Sequence, residues 1–379
     1  MRALIVGAGP GGASAALALA RGGAQVFLFD RSRWPRDKTC GDGISPLAIR
    51  ELAALGLAVE GAVRLSRARV STPSERDFRG GWPAPTPWGT TVVRRVFDAR
   101  IVDAAIASGA SFEPESHVRR IESRDDGVAA VIESNGVARE VQADVAIVAD
   151  GAAGALAAQA GFAPHRSRLV TVRGYADTPQ PLAQEYGLFY DRSVAPGYGW
   201  VFPMSERRAN AGILVDERVL AREGGNARAL LDRWLVESRF ARELLGPSPA
   251  LEGVKGGVIP TGRARTRERL FLVGDAAGVA DPFTAEGIYQ AIRSGRLAAE
   301  ALLEESDIAA AARRYGRACA EFDRNERAAR MLQATFNGSI ELFARRAAAK
   351  PAFADHLNTA VFFPKASFLS FVGGLLRAL

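Results

Sequence analysis

The sequence predicts a mixed α/β (α+β) fold: a parallel-sheet unit, interrupted by an inserted, mostly antiparallel β-sheet and followed by a helical C-terminal region. Three observations predict it. The first thirty residues, MRALIVGAGPGGASAALALARGGAQVFLFD, read as strand, glycine turn, helix and strand. From Phe112 to Gly151 the apolar residues switch to the period-two alternation of half-buried strands, and Arg166 to about Pro260 reads as a different, strand-rich unit. The stretch RLFLVGDAAGVADPFTAEGIYQAIRSGRLAAEALLEE then returns to a buried strand, a small-residue loop and a helix.

The opening stretch carries the most chemistry. Ala3 to Val6 form an apolar run that leads into Gly7, Gly9 and Gly12 at G-x-G-x-x-G spacing. An Ala/Leu-rich helix follows, and a second apolar run, Val26 to Phe29, closes on Asp30. In isolation the glycines would be a glycine-rich loop. With both strands, the helix and the acid in register they form the dinucleotide-binding fingerprint of a Rossmann-like unit. Gly7 permits the tight turn, Gly9 lets backbone approach a pyrophosphate, and Gly12 lets helix and strand pack closely. The helix N-terminus turns unpaired N–H groups toward the phosphates. Asp30 suits a ribose hydroxyl and would repel a ribose phosphate.

At 379 residues the chain exceeds what one core usually supports, so two domains or a large insertion are expected. Its 48% hydrophobic and 24% charged residues are ordinary for a globular protein. The net charge of +7 comes mainly from arginine, since lysine occurs only at 38, 255, 350 and 365. These charges are scattered rather than gathered into a basic run, which argues against a nucleic-acid partner. Cys40 and Cys319 cannot build a disulfide framework, and no C-x-x-C or His cluster suggests a metal. The N-terminal apolar residues belong to the first strand rather than to a signal peptide, and no run approaches the roughly 18 apolar residues of a spanning helix. The expected location is cytoplasmic. The apolar C-terminal stretch PKASFLSFVGGLLRAL either packs on the body or gives peripheral contact with a membrane.

After Asp30, Trp34-Pro35 and Gly41-Asp42-Gly43 mark a loop, and Pro46 begins a helix through Leu57. Cys40 in that loop reads either as a buried thiol in a turn or as a thiol beside a redox centre, where Lys38 and Arg36 favour thiolate. Leu65 to Pro87 reads as short strands and loops, and Val92 to Ala110 as an amphipathic helix. His117–Arg124, Val128–Glu133 and Val137–Val141 read as strands joined by hairpins at Asp126-Gly127 and Asn135-Gly136. The buried strand 143–149 ends in Asp150-Gly151, either an ordinary turn or a second approach of backbone to a cofactor. Strands are expected at 169–175, 185–190, 199–202, 209–215 and 254–259, with a helix near 226–237. Tyr186, Phe189, Tyr190, Tyr198, Trp200 and Phe202 are either core or the wall of a pocket between two units. Leu270–Val273 forms a strand ending in Gly274-Asp275. A helix follows from about Ala285 to Glu304, its Glu286-Gly287-Ile288 start offering N–H groups to a developing anion. The rest, from Ile308, is largely helical.

Three separated pieces agree: Gly7-x-Gly9-x-x-Gly12 with Asp30, Ala149-Asp150-Gly151, and Gly274-Asp275. Together they resemble FAD-dependent oxidoreductases of the para-hydroxybenzoate hydroxylase type over about the first 330 residues. Within that group the chain resembles the geranylgeranyl reductase family. The closer match is carried by Lys38-Thr39-Cys40-Gly41-Asp42-Gly43, by Tyr198-Gly199-Trp200-Val201-Phe202-Pro203 with Gly212, and by Asp281-Pro282-Phe283-Thr284-Ala285-Glu286-Gly287-Ile288. The family's Y-x-W-x-F-P motif is followed by G-x-G; here Leu214 replaces the second glycine.

The resemblance implies FAD as cofactor, in a Rossmann-like FAD-binding domain assembled from 1–70, 92–165 and 262–330. It implies a substrate-binding sheet from 71–91 and 166–261 and a helical region at 331–379. Gly7, Gly9 and Gly12 would take the pyrophosphate and Asp30 the adenosine ribose. Arg94 would contact the phosphate or ribityl region, and Asp275 the ribityl chain or pyrophosphate edge. Gly287 and Ile288 would face the flavin N1–C2 edge. Pro10, Arg31, Gly41, Asp150, Gly274 and Pro282 join this cofactor set, with Cys40 beside the ring. Tyr198, Trp200, Phe202 and Pro203 would line an apolar substrate channel, and Cys40 and Tyr198, or ordered water, would supply a proton.

The activity so implied is reduction of isoprenoid carbon–carbon double bonds, on a geranylgeranyl or polyprenyl lipid or a quinone tail, by hydride from flavin N5. Electrons would come from NAD(P)H or a small redox protein. No second G-x-G-x-x-G unit marks a dedicated NAD(P)H domain. One alternative is a monooxygenase or halogenase of the same fold acting on a small aromatic or natural product; another is a non-catalytic electron carrier. Tyr-Gly-Trp-Val-Phe-Pro differs from the W-x-W-x-I-P of tryptophan halogenases, and the Cys40 loop argues against simple hydroxylation.

Overall fold

The computed structural model describes residues 1–61, 63–82, 88–262 and 265–362. The expected docking of the apolar stretch 364–379 therefore lies outside the described residues.

The strand Arg2–Val6 is centred in a six-stranded sheet, between Gln25–Phe29 and Val145–Val148, and pairs in parallel with both. Leu270–Leu272 and Ser111–Glu113 extend it in parallel, and only the edge strand Thr266–Arg267 runs antiparallel. A parallel sheet needs both faces covered, which is why its strands are continuously apolar rather than alternating. Ala3, Leu4 and Ile5 have no exposed surface, and Val145, Ala146 and Ile147 none either. The helices Pro10–Arg21, Arg94–Ala107 and Ile288–Glu304 share this core with Val118, Ile121, Val128, Ala130 and Ile132 of a three-stranded antiparallel sheet. Both hairpins of that small sheet fall where Asp126-Gly127 and Asn135-Gly136 place them. Close helix contact depends on missing side chains: a Cβ at Gly295 would stand 2.2 Å from the Gly11 carbonyl oxygen.

A seven-stranded sheet forms the second layer, in the order 252–261, 167–177, 208–216, 198–205, 186–189, 67–71 and 77–81. All neighbours are antiparallel except Tyr186–Phe189 with Arg67–Ser71. Period-two alternation sorts its residues between two cores. Val172, Val201, Ile213 and Val215 pack with Leu231, Trp234 and Phe240 of the helices Ala227–Glu237 and Arg239–Leu245. Tyr186, Leu188, Tyr198, Trp200 and Leu214 join the other cluster, with Phe343, Phe353 and Leu357 from the C-terminal helices. Trp234 lies directly on the Gly199 backbone, where a Cβ would come within 2.1 Å of its ring.

The helix expected from Ala285 begins at Ile288. Asp281 Oδ1 accepts from the amides of Phe283 and Thr284, both at 2.8 Å, and Ala285 has φ +55°. That turn holds the chain out of helical geometry until Gly287. The helix at Pro46 is capped by the Ser45 hydroxyl, which accepts from Ala48 N–H at 3.2 Å, and ends at Ala54 rather than Leu57.

The last helix, Pro351–Phe362, is pinned to strands 67–71 and 77–81 by Asn358, which is fully buried and donates to the Ala68 and Gly80 carbonyls. Asn358→Ala leaves both carbonyls facing an unfilled space. An expected cost of about 1–3 kcal/mol would be read as a lower urea midpoint with this helix losing amide-exchange protection first.

Candidate functional site

A cavity of about 860 Å3 runs from the glycine turn to the aromatic face of the large sheet. That is near the top of the range for small-molecule sites, roughly 300–1,000 Å3. One end is built by the first parallel crossover. Gly7 has φ +96°, and a Cβ there would stand 2.2 Å from the Ala149 carbonyl oxygen, so the two strand-end loops meet only because position 7 is glycine. Gly12 fits under Gly7 for the same reason, with a built Cβ 1.9 Å from Gly7 O. Gly9 differs: its nearest neighbour would be Arg36 Nη2 at 3.3 Å, so the protein does not demand a glycine there and the space belongs to the cavity. Gly9 is also the N-cap of Pro10–Arg21, and no side chain caps that helix, so its first-turn N–H groups are left for a ligand. Asp30 is fixed by Ala8 N–H at 2.9 Å and Ser32 N–H at 2.8 Å. These residues fit a dinucleotide diphosphate and its ribose.

Of the residues singled out from sequence, Gly7, Gly9, Pro10, Asp30, Arg31, Cys40, Gly41, Arg94, Asp150, Gly274, Asp275, Gly287, Ile288, Tyr198, Trp200 and Phe202 share this one cavity. Gly12, Pro203 and Pro282 are not on its wall. Gly12 packs helix on turn, and the Pro203 carbonyl accepts the Thr91 hydroxyl at 2.6 Å inside the sheet. Leu214, which stands opposite Tyr198 in the sheet, adds an apolar surface to the wall.

The segment Arg36–Cys40, in which the sequence marked every residue but Asp37, is a strap tied to both layers. Arg36 reaches Asp98 at 3.0 Å, and Lys38 reaches Asp275 at 2.7 Å. Between them Asp37 takes Lys255 at 2.7 Å and Arg173 at 3.2 Å, while the Thr39 hydroxyl donates to Gly256 O at 2.8 Å. Nothing in the local sequence of Asp37 and Thr39 announces these partners, which come from residues more than 130 positions away.

The expectation that Lys38 and Arg36 favour a Cys40 thiolate is overturned. Both cations are committed to carboxylates, and burial pushes the Cys40 thiol up; Arg94 opposes this only in part, and the neighbouring Asp42 charge adds to it. Burial also pushes the Asp275 carboxyl up, but the Lys38 ammonium, helped by Arg94 and His165, outweighs it and holds Asp275 below the usual carboxylate range. Burial, with the charges of Asp281 and Glu286, raises the Tyr198 phenol, whose O–H donates to the Thr284 carbonyl. Cys40 and Tyr198 therefore both carry their protons at neutral pH.

A thiol raised in the folded state gives stability that is complete below the unfolded thiol value of about 8.5 and is lost as pH rises through the folded value. For Cys319, pushed up by burial to about 12, that window runs between these two values. Unfolding free energies from urea denaturation between pH 8 and 10 are expected to fall less steeply for Cys319→Ala than for the unaltered protein, by up to about 1.4 kcal/mol per pH unit. Parallel slopes would contradict the shift.

The chain matches the FAD binding domain family over residues 1–335. It is 33% identical over 339 residues to a menaquinone reductase of Mycobacterium tuberculosis, covering 83% of this chain and 80% of that protein. It is 31% identical over 325 residues to digeranylgeranylglycerophospholipid reductase 2 of Methanopyrus kandleri, covering 82% and 80%. Among solved structures, a geranylgeranyl bacteriochlorophyll reductase-like protein of Thermoplasma acidophilum superposes with a TM-score of 0.82 at 22% identity, covering 100% of this chain and 99% of that one. The flavin-dependent brominase Bmp2 superposes with a TM-score of 0.80 at 19% identity, covering 100% and 99%. At these identities the two structures show a shared fold. Among the described residues no helix is long and apolar enough to cross a membrane.

Proposed function

The chain belongs to the FAD binding domain family and is an FAD-dependent oxidoreductase; on that premise we propose that it reduces carbon–carbon double bonds of an isoprenoid chain carried by a polyprenyl lipid or a quinone tail. The observation that carries this reading is the continuity of the cavity, from the helix N-terminus at Gly9 and Pro10 to a wall of Tyr186, Leu188, Tyr190, Tyr198, Trp200 and Phe202. An aliphatic chain gains about 25 cal/mol for each Å2 it buries against such a wall. In this reading residues 1–70, 92–165 and 262–330 serve the cofactor, and 71–91 and 166–261 the substrate.

Bound and reduced, FAD supplies a hydride to one carbon of the double bond. The protein's own residues do the rest. Gly9 and the Pro10 helix terminus would hold the diphosphate, Asp30 the ribose and Lys38–Asp275 the ribityl chain. Gly287 is the N-cap of Ile288–Glu304 with no side chain capping it, and the first-turn N–H groups there would stabilise negative charge on the reduced cofactor. Cys40 Sγ holds the proton for the second carbon; Tyr198 is the weaker donor because its O–H is already given to Thr284. Reducing equivalents come from NAD(P)H or a small redox protein.

The test is anaerobic incubation of the dithionite-reduced, FAD-loaded protein with geranylgeranyl and polyprenyl lipids and menaquinone. Products one H2 heavier per bond are expected, with no oxygen needed. Product formed only with oxygen, or halogenated product with halide, would replace this reading by the monooxygenase or halogenase one.

A further inference from the structure

Asp42, Arg173, Tyr175 and Asn210 converge behind the Cys40–Gly43 turn, and none of them lines the cavity. Asp42, Arg173 and Asn210 have no exposed surface. Asn210 is the hub. Its Nδ2 donates to Cys40 O and to Asp42 Oδ2, both at 2.9 Å, and its Oδ1 accepts the Trp200 indole N–H at 3.0 Å. With two acceptors on one side and a donor on the other, only one amide orientation satisfies it. Arg173 adds a second donor to Cys40 O at 3.2 Å and ties the same turn to Gly253 O at 2.8 Å and Asp37 at 3.2 Å. The Tyr175 hydroxyl donates to Asp42 Oδ2 at 2.5 Å, and Asp42 sits at φ +60°.

An apolar plug would fill this space at lower cost, because a buried carboxylate, guanidinium and amide each lose hydration. What the polar cluster adds is direction. Bonds to the Cys40 carbonyl and the Asp42 carboxylate fix the chain on both sides of Gly41. The front of the turn has no slack, since a Cβ at Gly41 would lie 3.2 Å from the Phe202 ring and 3.3 Å from Trp200 Nε1, and one at Gly43 would lie 3.2 Å from the Tyr186 ring. The turn is thus clamped between the aromatic wall and the cluster, and Asn210 touches both.

We propose that Asn210, backed by Asp42, Tyr175 and Arg173, is a positioning residue that sets where Cys40 stands in the cavity and couples that position to Trp200 on the aromatic wall. The proposal rests on the reductase reading only for what Cys40 does there. Its test therefore uses a signal that needs no substrate.

The rate of Cys40 alkylation by iodoacetamide in FAD-loaded protein, read by peptide mass spectrometry, reports how tightly the turn is held. Asn210→Leu is expected to raise that rate about tenfold, the equivalent of one net hydrogen bond. Trp200→Phe, which removes the indole N–H, raises it by a smaller factor. The double variant reacts no faster than Asn210→Leu alone, because both changes break one chain of bonds. In polyprenyl turnover, kcat falls by roughly 100-fold while KM changes little, as expected when a reacting group is misplaced rather than a binding surface lost. Alkylation rates within about twofold of the unaltered protein, or factors that multiply in the double variant, overturn the proposal. Should Asn210→Leu fail to fold, Trp200→Phe and Tyr175→Phe decide it by the same rate, and unchanged rates in both overturn it. An unaltered protein that reduces no isoprenoid removes the reductase reading and leaves the alkylation result standing.

Discussion

Gly12→Ala is expected to yield protein that purifies colourless and binds FAD too weakly to be reloaded by dialysis. The added Cβ would stand 1.9 Å from Gly7 O and 3.1 Å from Ala149 Cβ. Neither neighbour is a flexible side-chain end. Gly7 is itself held at φ +96° against the Ala149 carbonyl, so relief can come only by moving the helix Pro10–Arg21 or the glycine turn before it. Overpacking of this kind costs about 1–3 kcal/mol in stability, and tilting the helix terminus loses its aligned N–H groups as well. Gly9→Ala is the informative partner. Its Cβ would meet only Arg36 Nη2 at 3.3 Å, so the unloaded protein should unfold within about 0.5 kcal/mol of the unaltered one while FAD affinity still collapses. Calorimetry of the unloaded proteins and flavin titration check both. A Gly12→Ala protein that stays yellow would show that the turn tolerates displacement, and the assignment of the opening glycines would fail with it.

The contrast between Gly9 and Gly12 also shows what a sequence can and cannot disclose. The spacing of three glycines between two apolar runs is local information, and the crossover it encodes is local, so the first parallel unit and both hairpins of the small sheet were legible. That Asp30, Asp150 and Asp275 meet at one end of the cavity was legible for the same reason: each closes a strand, and parallel strands bring those ends together. The environment of Cys40 was not. Lys38 and Arg36 are its neighbours in sequence, but their charges go to Asp275, Asp30 and Asp98, and the thiol is surrounded instead by Arg94, Asp42 and the bulk of the fold. Asn210, Tyr175 and Arg173 carried no signal because they are polar residues within strand runs, Arg173 and Tyr175 at alternate positions of one strand, and the two-residue period alone assigns such residues to a solvent face. A single clue was available. Polar side chains inside the runs 169–175 and 209–215 have to find partners if those strands are buried on both faces. The helix Ile288–Glu304 starts three residues later than its periodicity predicts because Asp281 captures two backbone amides, a side-chain competition that helical periodicity does not register.

Arg94→Met is expected to destabilise the protein by about 3 kcal/mol before any cofactor is added. Arg94 is 3% exposed and makes two 2.7 Å bonds to Asp98, which has no exposed surface. Burial alone would make that guanidinium give up its proton more readily; the Asp98 charge and hydrogen bonds reverse the effect and hold it protonated. Without Arg94 a fully buried carboxylate keeps, among the described residues, Arg36 at 3.0 Å, so the loss falls at the lower end of the range for breaking a buried pair. A residue whose whole duty was to contact the flavin would leave the unloaded protein unchanged. The two duties separate in Arg94→Met/Asp98→Leu, where both charges leave together. Stability should then recover by most of the loss, since an apolar pair of similar volume replaces a buried ion pair at little cost. Flavin affinity should not recover, because the cation facing the cavity is still gone. The Cys40 thiol should also shift further up in both variants, having lost the one charge that opposes its burial most strongly. Urea denaturation of unloaded protein, flavin titration and the pH profile of Cys40 alkylation thus give three independent readings of one side chain. If the double variant regains stability and flavin together, Arg94 acts only through Asp98 and not on the cofactor.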